Sequence, residues 1–224
     1  MKKHLYLLLT MGLAVAAQAA TYSSGSLAGG AVPDNNLSGV AFNFTSGIPQ
    51  NYITDVKVTL NFATGGSAFN GDLYGFLAYS GGGFTVLLDR VGRNATSAYG
   101  FNTAGGTIQL SSTGSGGSIH DAASLSSGTW YQPDGNTVYP IAPQTDFTSG
   151  LTGGDFTSFN GLNPNGTWTL FLADTSGGNL NSLTTWSLDV TAVPEPITVA
   201  LGIFGGLFGI VQGARFIRRR SSAQ

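Results

Sequence analysis

The sequence predicts an all-β fold, a two-sheet β-sandwich or jelly roll, for the body of this 224-residue chain. Two observations predict it: short runs of alternating apolar and polar residues recur along the body, and clusters of turn residues separate them. Glycine contributes 34 residues, and only 9% of the residues are charged. No window between residues 20 and 193 shows the periodicity of an amphipathic helix. Short strands joined by turns are typical of a sandwich.

The individual strands follow from these runs. Residues 53–62 alternate most regularly, and their apolar side chains point to one face: Val56, Val58, Leu60 and Phe62. Residues 73–79 and 84–91 flank a Ser-Gly-Gly-Gly turn and therefore predict a hairpin. Further alternating runs predict strands at residues 40–44, 168–172 and 183–190. We therefore expect one sandwich domain at 37–192, preceded by a loose Ser- and Gly-rich segment at 20–36.

The charge of the body excludes one class of partner. It carries three basic residues, Lys57, Arg90 and Arg93, against ten Asp, which gives a net charge of −7. No basic patch is available to neutralise phosphates, so nucleic acid is not an expected partner. The chain has no cysteine, which excludes disulfides, thiol nucleophiles and thiolate metal sites.

The N-terminus has the organisation of a signal peptide. Lys2 and Lys3 precede an apolar core at residues 5–17, and Ala17-Gln18-Ala19 provides an A-x-A cleavage pattern. These features predict a signal peptide at 1–19 that is cleaved after Ala19, and they predict signal peptidase as a processing partner.

The C-terminus carries a second apolar segment, interrupted only by Gln212 and Arg215. Its length matches the roughly 20 residues that a membrane-spanning helix needs, so a transmembrane helix is predicted at about 197–217. Basic residues follow it: Arg218, Arg219 and Arg220. Because basic flanks stay in the cytoplasm, both chain ends are expected there, with the body outside the inner membrane.

The tail as a whole resembles a known sorting signal. Val193, Pro194, Glu195 and Pro196 are followed by the apolar segment and the arginines, and residues 193–220 are similar to the PEP-CTERM signal of exported bacterial proteins. The resemblance implies a Gram-negative host, processing by an exosortase near the Pro-Glu-Pro motif, and association with exopolysaccharide. It also implies a chain that is held at the inner membrane before processing and is then found at the cell surface or outside the cell.

A second resemblance concerns residues 53–190. The motifs at 56–62, 71–73, 86–92, 166–170, 173–174 and 183–188 are similar to the P domain (Homo B) of proprotein convertases. This resemblance implies a β-sandwich jelly roll, a domain that usually follows a subtilisin-like protease. The chain has no protease domain, and Gly81-Gly82-Gly83 replaces the usual Ser-Pro-x-Gly-Thr turn. The resemblance therefore concerns fold and not activity.

Two acids in these motifs are candidate metal ligands. Asp72 and Asp174 could share a calcium ion with loop carbonyls if the sandwich brings their strand ends together. The alternative is that each carboxylate caps its own turn through backbone amides. The sequence by itself leaves both interpretations open.

The loop-rich middle of the body contains the candidate catalytic and glycan-binding residues. His120 lies beside Asp121, but no G-x-S-x-G nucleophile elbow accompanies them, and a solvated loop histidine is the simpler interpretation. No catalytic residue and no enzyme activity are therefore expected. Trp130 and Tyr131 could stack on a sugar, with packing onto the sandwich as the alternative. The sequence thus predicts an exported, non-enzymatic surface or matrix protein, with a calcium- or carbohydrate-binding module as the alternative.

Overall fold

A computed structural model of the chain describes residues 18–23, 27, 30–49, 52–63, 69–92, 97, 99–102, 105–134, 155–194 and 196–221. Ten strands lie within these residues: β1 (Gln18–Ser23), β2 (Ala31–Val32), β3 (Asn36–Ser46), β4 (Tyr52–Phe62), β5 (Leu73–Tyr79), β6 (Phe84–Asp89), β7 (Gly106–Ser111), β8 (Trp130–Tyr131), β9 (Gly166–Asp174) and β10 (Asn181–Val193). Short 3-10 turns occur at Asn70–Asp72, Ile119–Asp121 and Phe156–Phe159, and one α-helix, α1, spans Pro196–Ser221.

The strands form two sheets, as the alternating patterns predict. One sheet has the order β1-β10-β4-β7-β8, with β2 also pairing with β10, and the other has the order β3-β9-β5-β6. Every pair is antiparallel except β7 with β8. The expectation of an all-β sandwich is confirmed at this level.

The core lies between the sheets and includes the apolar residues of the alternating strands. All four apolar residues of β4 that were expected to share a face are buried: Val56, Val58, Leu60 and Phe62. From the other sheet, Trp168, Leu170 and Leu172 of β9 belong to the same apolar cluster. The indole N–H of Trp168 donates to the hydroxyl of buried Ser46 at 3.1 Å, which satisfies its polar atom in the core.

The segment expected to be loose, 20–36, instead contributes strands to the sandwich. β1 pairs with β10 over six residues, and the ring of Tyr22 stacks on Phe44 with centroids 5.1 Å apart. Phe44 in turn packs against Trp186 at 5.1 Å. The Ser- and Gly-rich composition of residues 20–36 does not predict this strand. An edge strand needs only a neighbouring strand with free backbone groups and one packed side chain, and neither shows in the local sequence.

The C-terminal segment forms helix α1, which begins at Pro196, immediately after β10. Among the described residues, no helix is long and apolar enough to cross a membrane. The transmembrane helix expected at about 197–217 therefore gains no support from the structure.

Candidate functional site

A group of buried polar residues lies at one end of the sandwich, where β5 begins, β6 and β9 end, and β10 begins. This end cluster consists of Asn70, Asp72, Arg90, Asp174 and Asn181, each 6% exposed or less. Buried charged and amide side chains are costly unless they find partners, so the arrangement of the cluster requires a physical explanation.

The fold brings Asp72 and Asp174 together, as the calcium hypothesis required. Asp174 lies opposite Leu73 in the β5–β9 ladder, one residue from Asp72. The backbone N–H and the hydroxyl of Thr175 both donate to the carbonyl of Asp72, at 2.8 and 2.9 Å. The two acids, 102 positions apart in the sequence, thus lie side by side because β5 and β9 are neighbours.

Asp174 has two hydrogen-bond donors and is fully buried. The backbone N–H of Ser176 donates to Oδ1 at 3.1 Å, and Nδ2 of Asn181 donates to Oδ2 at 3.0 Å. Burial raises the pKa of the Asp174 carboxyl to about 6, opposed by these two hydrogen bonds and assisted by the negative charges of Asp72 and Asp34. Asp174 therefore caps its turn locally, as the alternative interpretation predicted, but its charge is only partly compensated.

Asp72 has a different partner, which the sequence analysis did not find. Nη2 of Arg90 lies 3.8 Å from Oδ1 of Asp72. The same guanidinium donates from Nε to the carbonyl of Gly71 and from Nη2 to the hydroxyl of Ser176, both at 3.1 Å. Arg90 is one of three basic residues in the body, and that scarcity is the sequence signal that could have indicated a structural role.

Two amides of the end cluster have polar atoms without a hydrogen-bond partner in the described structure. They are Nδ2 and Oδ1 of Asn70 and Oδ1 of Asn181. The Nδ2 of Asn181 is placed between two oxygens, Oδ2 of Asp174 at 3.0 Å and the carbonyl of Phe69 at 3.3 Å. Neither amide was singled out from the sequence, because no local pattern distinguishes a buried Asn from one in a turn.

His120 pairs with an acid other than the one beside it in the sequence. Its Nδ1 lies 3.0 Å from Oδ1 of Asp134, not of Asp121. Asp134 also accepts the backbone N–H of Asp89 through Oδ2 at 2.7 Å. These contacts attach the turn at 119–121 and residue 134 to the end of β6, so the expectation of a merely solvated loop histidine is wrong.

A buried tyrosine lies close to this histidine–carboxylate pair. Tyr74 faces Asp89 across the β5–β6 ladder, and its hydroxyl has no hydrogen-bond partner among the residues that the structure describes. Burial, with a contribution from the charge of Asp89, raises the pKa of Tyr74 to about 12. The hydroxyl therefore stays protonated, and it is not a base at neutral pH.

The two aromatic residues proposed for glycan contact differ in exposure. Tyr131 is buried, and its hydroxyl donates to the carbonyl of Ser124 and accepts from the backbone N–H of Ser126. Trp130 is partly exposed, with Nζ of Lys57 5.6 Å from the centre of its ring. Tyr131 thus has the packing role, and only Trp130 is placed to meet a ligand.

The described residues assigned to sorting and processing lie in β1, at and just after the end of β10, and in α1. Ala19 is in β1, opposite Thr191, and Val193 ends β10. Pro194 follows Val193, Pro196 begins α1, and Arg218 is exposed. Arg219 and Arg220 belong to the helix, whereas Glu195 lies outside the described residues.

Comparisons with known proteins identify no family for this chain. No family model matches it, and no curated protein matches it. Among solved structures it is similar to a serine protease of Aeromonas sobria, with 14% identity and a TM-score of 0.44. That match covers 79% of this chain and 27% of the protease, so the chain spans about a quarter of the protease's length.

Proposed function

We propose that this chain is an exported, non-enzymatic cell-surface or extracellular-matrix protein that is sorted and processed through its C-terminal tail. The observation that carries the proposal is the pairing of β1 with β10, in which Gln18 lies opposite Ala192. Paired Cα atoms in an antiparallel ladder are only about 5 Å apart. The N-terminal and C-terminal segments therefore join the body side by side, an arrangement suited to a protein whose two ends meet the same membrane.

The two predicted cleavage sites are compatible with a stably folded body in the mature protein. Cleavage after Ala19 leaves Ala20 to Ser23 paired with β10, and Tyr22 keeps its contact with Phe44. Cleavage near Pro194 leaves β10 complete, because that strand ends at Val193. Signal peptidase and an exosortase could thus process both ends without removing a core residue.

Two further features support a non-enzymatic role at a surface. The body is strongly acidic, which disfavours nucleic acid and favours a soluble extracellular domain. The buried acids of the end cluster contact Arg90, Asn181 and backbone amides, which are structural partners. Exopolysaccharide is the partner that this proposal includes, on the basis of the tail resemblance alone.

Mass spectrometry of the exported protein tests the processing step. The wild-type mature form is expected to begin at Ala20 and to lack Arg218, while the triple variant Pro194→Ala/Glu195→Ala/Pro196→Ala is expected to retain Arg218. Pro33→Ala/Pro49→Ala, which alters two prolines in loops of the body, is the control and should be processed normally. A wild-type mature form that still contains Arg218 would contradict the proposal.

A reporter fusion tests export separately. Alkaline phosphatase fused after Val193 is expected to be active, because it folds only outside the cytoplasm, and deletion of residues 1–19 should abolish that activity. Activity of a cytoplasm-restricted reporter at the same position would overturn export, whatever the mass spectra show.

A carbohydrate-binding module at the cell surface is the second candidate. The specific observation in its favour is the partly exposed ring of Trp130, held beside Lys57 on the polar outer face of the larger sheet. Aromatic rings presented beside polar side chains are typical of sites that hold ligands with both apolar and hydroxyl surfaces.

A further inference from the structure

We propose that the free edge of β3 pairs with β3 of a second copy of this chain, in an antiparallel, two-fold symmetric contact. The smaller sheets of the two copies then join edge to edge into one sheet, with four strands from each copy. This contact goes beyond the sorting and processing proposed above and does not depend on them.

The first argument starts from the direction of the backbone groups in β9, the strand that pairs with β3. The N–H of Thr167 donates to the hydroxyl of Ser80, and its carbonyl accepts the N–H of Ser80, both at 2.9 Å. Thr167 therefore faces the side of β5. Successive residues of an antiparallel strand face opposite neighbours in turn, so the residues of β9 that face β3 are the even-numbered ones, beginning with Trp168.

This alternation leaves every second residue of β3 facing away from its sheet. Trp168 pairs with Phe44, so Phe44 bonds to β9. Its neighbours Asn43 and Thr45 direct their N–H and C=O groups outward, as does Ala41. None of these backbone groups has a hydrogen-bond partner among the described residues. β3 thus presents a row of donors and acceptors that another strand can extend.

The opposite edge of the same sheet, formed by β6, is closed. The hydroxyl of Ser158 accepts the N–H of Phe84 at 3.2 Å and donates to its carbonyl at 2.9 Å. The N–H of Asp134 donates to the carbonyl of Leu87 at 3.4 Å, and its Oδ2 accepts the N–H of Asp89 at 2.7 Å. Loops and side chains therefore satisfy the backbone at this edge, whereas the edge of β3 is left available for a partner.

The second argument is the composition of β3. Its 11 residues include no charged residue and no proline. A register shift between Asn36 and Val40 contains Gly39 at a φ of +53°, and Val40 to Ser46 then form a regular run. Soluble proteins protect a long regular edge with charges, prolines, bulges or a covering segment. The regular part of β3 has neither a charge nor a proline to keep another strand away.

The pattern of charge favours a second copy as the partner. The body has a net charge of −7, so two copies repel each other where their acidic surfaces meet, but no charges oppose each other along β3. The strand also carries no charge by which a basic or acidic partner of another kind could select it. A two-fold axis at Asn43 places Asn43 opposite itself and Ala41 opposite Thr45. All outward backbone groups then meet outward groups, in a contact that closes at two copies.

Aromatic side chains beside the free edge supply apolar surface for the same contact. Phe42 and Phe44 pack against the core yet remain partly exposed, and so does Tyr22, which stacks on Phe44. In the two-fold arrangement, Phe42 of each copy lies opposite Phe44 of the other at a non-hydrogen-bonded position, where side chains approach most closely. The pairing therefore buries aromatic surface that a single copy leaves in contact with water.

A single introduced thiol tests the contact and its register, because the chain has no cysteine. Asn43→Cys places two thiols across the two-fold axis with Cα atoms about 5.5 Å apart, which a disulfide can bridge. Oxidation of the full-length chain, in detergent to cover the exposed apolar residues of α1, should convert most of this variant to a covalent dimer. Thr59→Cys, on the outer face of β4, is the matched control and should stay monomeric. Equal cross-linking of the two variants would overturn the proposal.

Sedimentation of the chain in the same detergent tests the pairing without a cross-link. Wild type should have the mass of two chains and Thr45→Pro that of one, because proline removes an N–H that faces away from β9 and blocks the added strand. An unchanged circular dichroism spectrum of Thr45→Pro would show that the sheet remains folded. A monomeric wild type, or a dimer that Thr45→Pro leaves intact, would contradict the proposal and, in the second case, would assign the dimer to another surface.

A third variant keeps the test decisive if Thr45→Pro does not fold. Asn43→Lys places two like charges directly opposite each other, so the Kd of the dimer should rise about fivefold or more at low salt. Thr59→Lys adds the same charge away from the edge and should leave the Kd unchanged. Equal Kd values for Asn43→Lys and Thr59→Lys would show that β3 does not form the contact.

Discussion

The two sheets bury their inner faces alike but differ on their outer faces. On the smaller sheet the outer residues of β5, β6 and β9 include a buried, mostly aromatic cluster, in which Phe76 stacks on Phe171 with centroids 4.9 Å apart. On the larger sheet the outer residues of β4, such as Lys57 and Thr59, are polar and partly exposed. The sequence already carries this difference, because β5 and β6 are nearly continuous apolar runs whereas β4 alternates strictly.

The difference also decides what a polar side chain does in each sheet. Polar residues on the outer face of β4 in the larger sheet, such as Lys57 and Thr59, are partly exposed to water, which satisfies them at little cost. Those attached to the smaller sheet, in the end cluster and in the His120–Asp134 pair, are largely buried and must satisfy one another. Equivalent substitutions should therefore change the free energy of unfolding by very different amounts in the two sheets.

The largest contrast is expected for the outer faces themselves. Phe76→Ala should lower the free energy of unfolding by about 4 kcal/mol, because it leaves a cavity in a packed aromatic cluster. Thr59→Ala, at a partly exposed position of β4, should change it by no more than about 0.5 kcal/mol. Denaturant unfolding of both variants measures the two changes in the free energy of unfolding. Similar losses of stability would show that the outer faces of the two sheets do not differ in their packing.

The ion pairs provide the next contrast. Arg90→Met should lower the free energy of unfolding by about 3 kcal/mol, because it leaves the buried Asp72 without its cation. Lys57→Met removes the exposed contact with Asp55 at 3.6 Å and should lower the free energy of unfolding by less than about 1 kcal/mol. The double variant Arg90→Met/Asp72→Asn should recover part of the loss, and failure to recover any would attribute the cost to packing alone.

Asp174 gives a pH-dependent version of the same test. Its pKa is raised by folding, so the stability that it contributes is present at low pH and is lost as the pH rises through about 6. Asp174→Asn should therefore be more stable than wild type by about 3 kcal/mol at pH 7.5, and the difference should shrink toward pH 4. A difference independent of pH would mean that the ionised carboxylate is already compensated.

Trp130→Ala should lower the free energy of unfolding by roughly 1 kcal/mol, because the ring is only partly buried. Its effect on binding should be larger if the polar face holds a glycan, and a glycan array should then lose its signals in this variant. Tyr131→Phe is the control, since Tyr131 is buried and should not alter binding. Equal binding by wild type and Trp130→Ala would remove the carbohydrate alternative.

The strands of the core were predictable because they depend on local alternation. Residues 53–62 were expected as a strand and β4 spans Tyr52–Phe62; the expected hairpin at 73–91 is β5 and β6, with Gly82 and Gly83 at positive φ in its turn. β1 was missed because its six residues show little alternation, and it forms only where β10 offers a free edge.

The amino-acid sequence alone determined the fold class, the acidic body and the apolar segments at both ends, because each depends on residue type and short-range order. Only the tertiary structure decided which polar side chains contact one another. It placed Arg90 beside Asp72, Asn181 beside Asp174 and Asp134 beside His120. These contacts join residues that are neighbours only because β5 and β10 begin where β6 and β9 end, and no pattern along the chain encodes which strands lie next to one another.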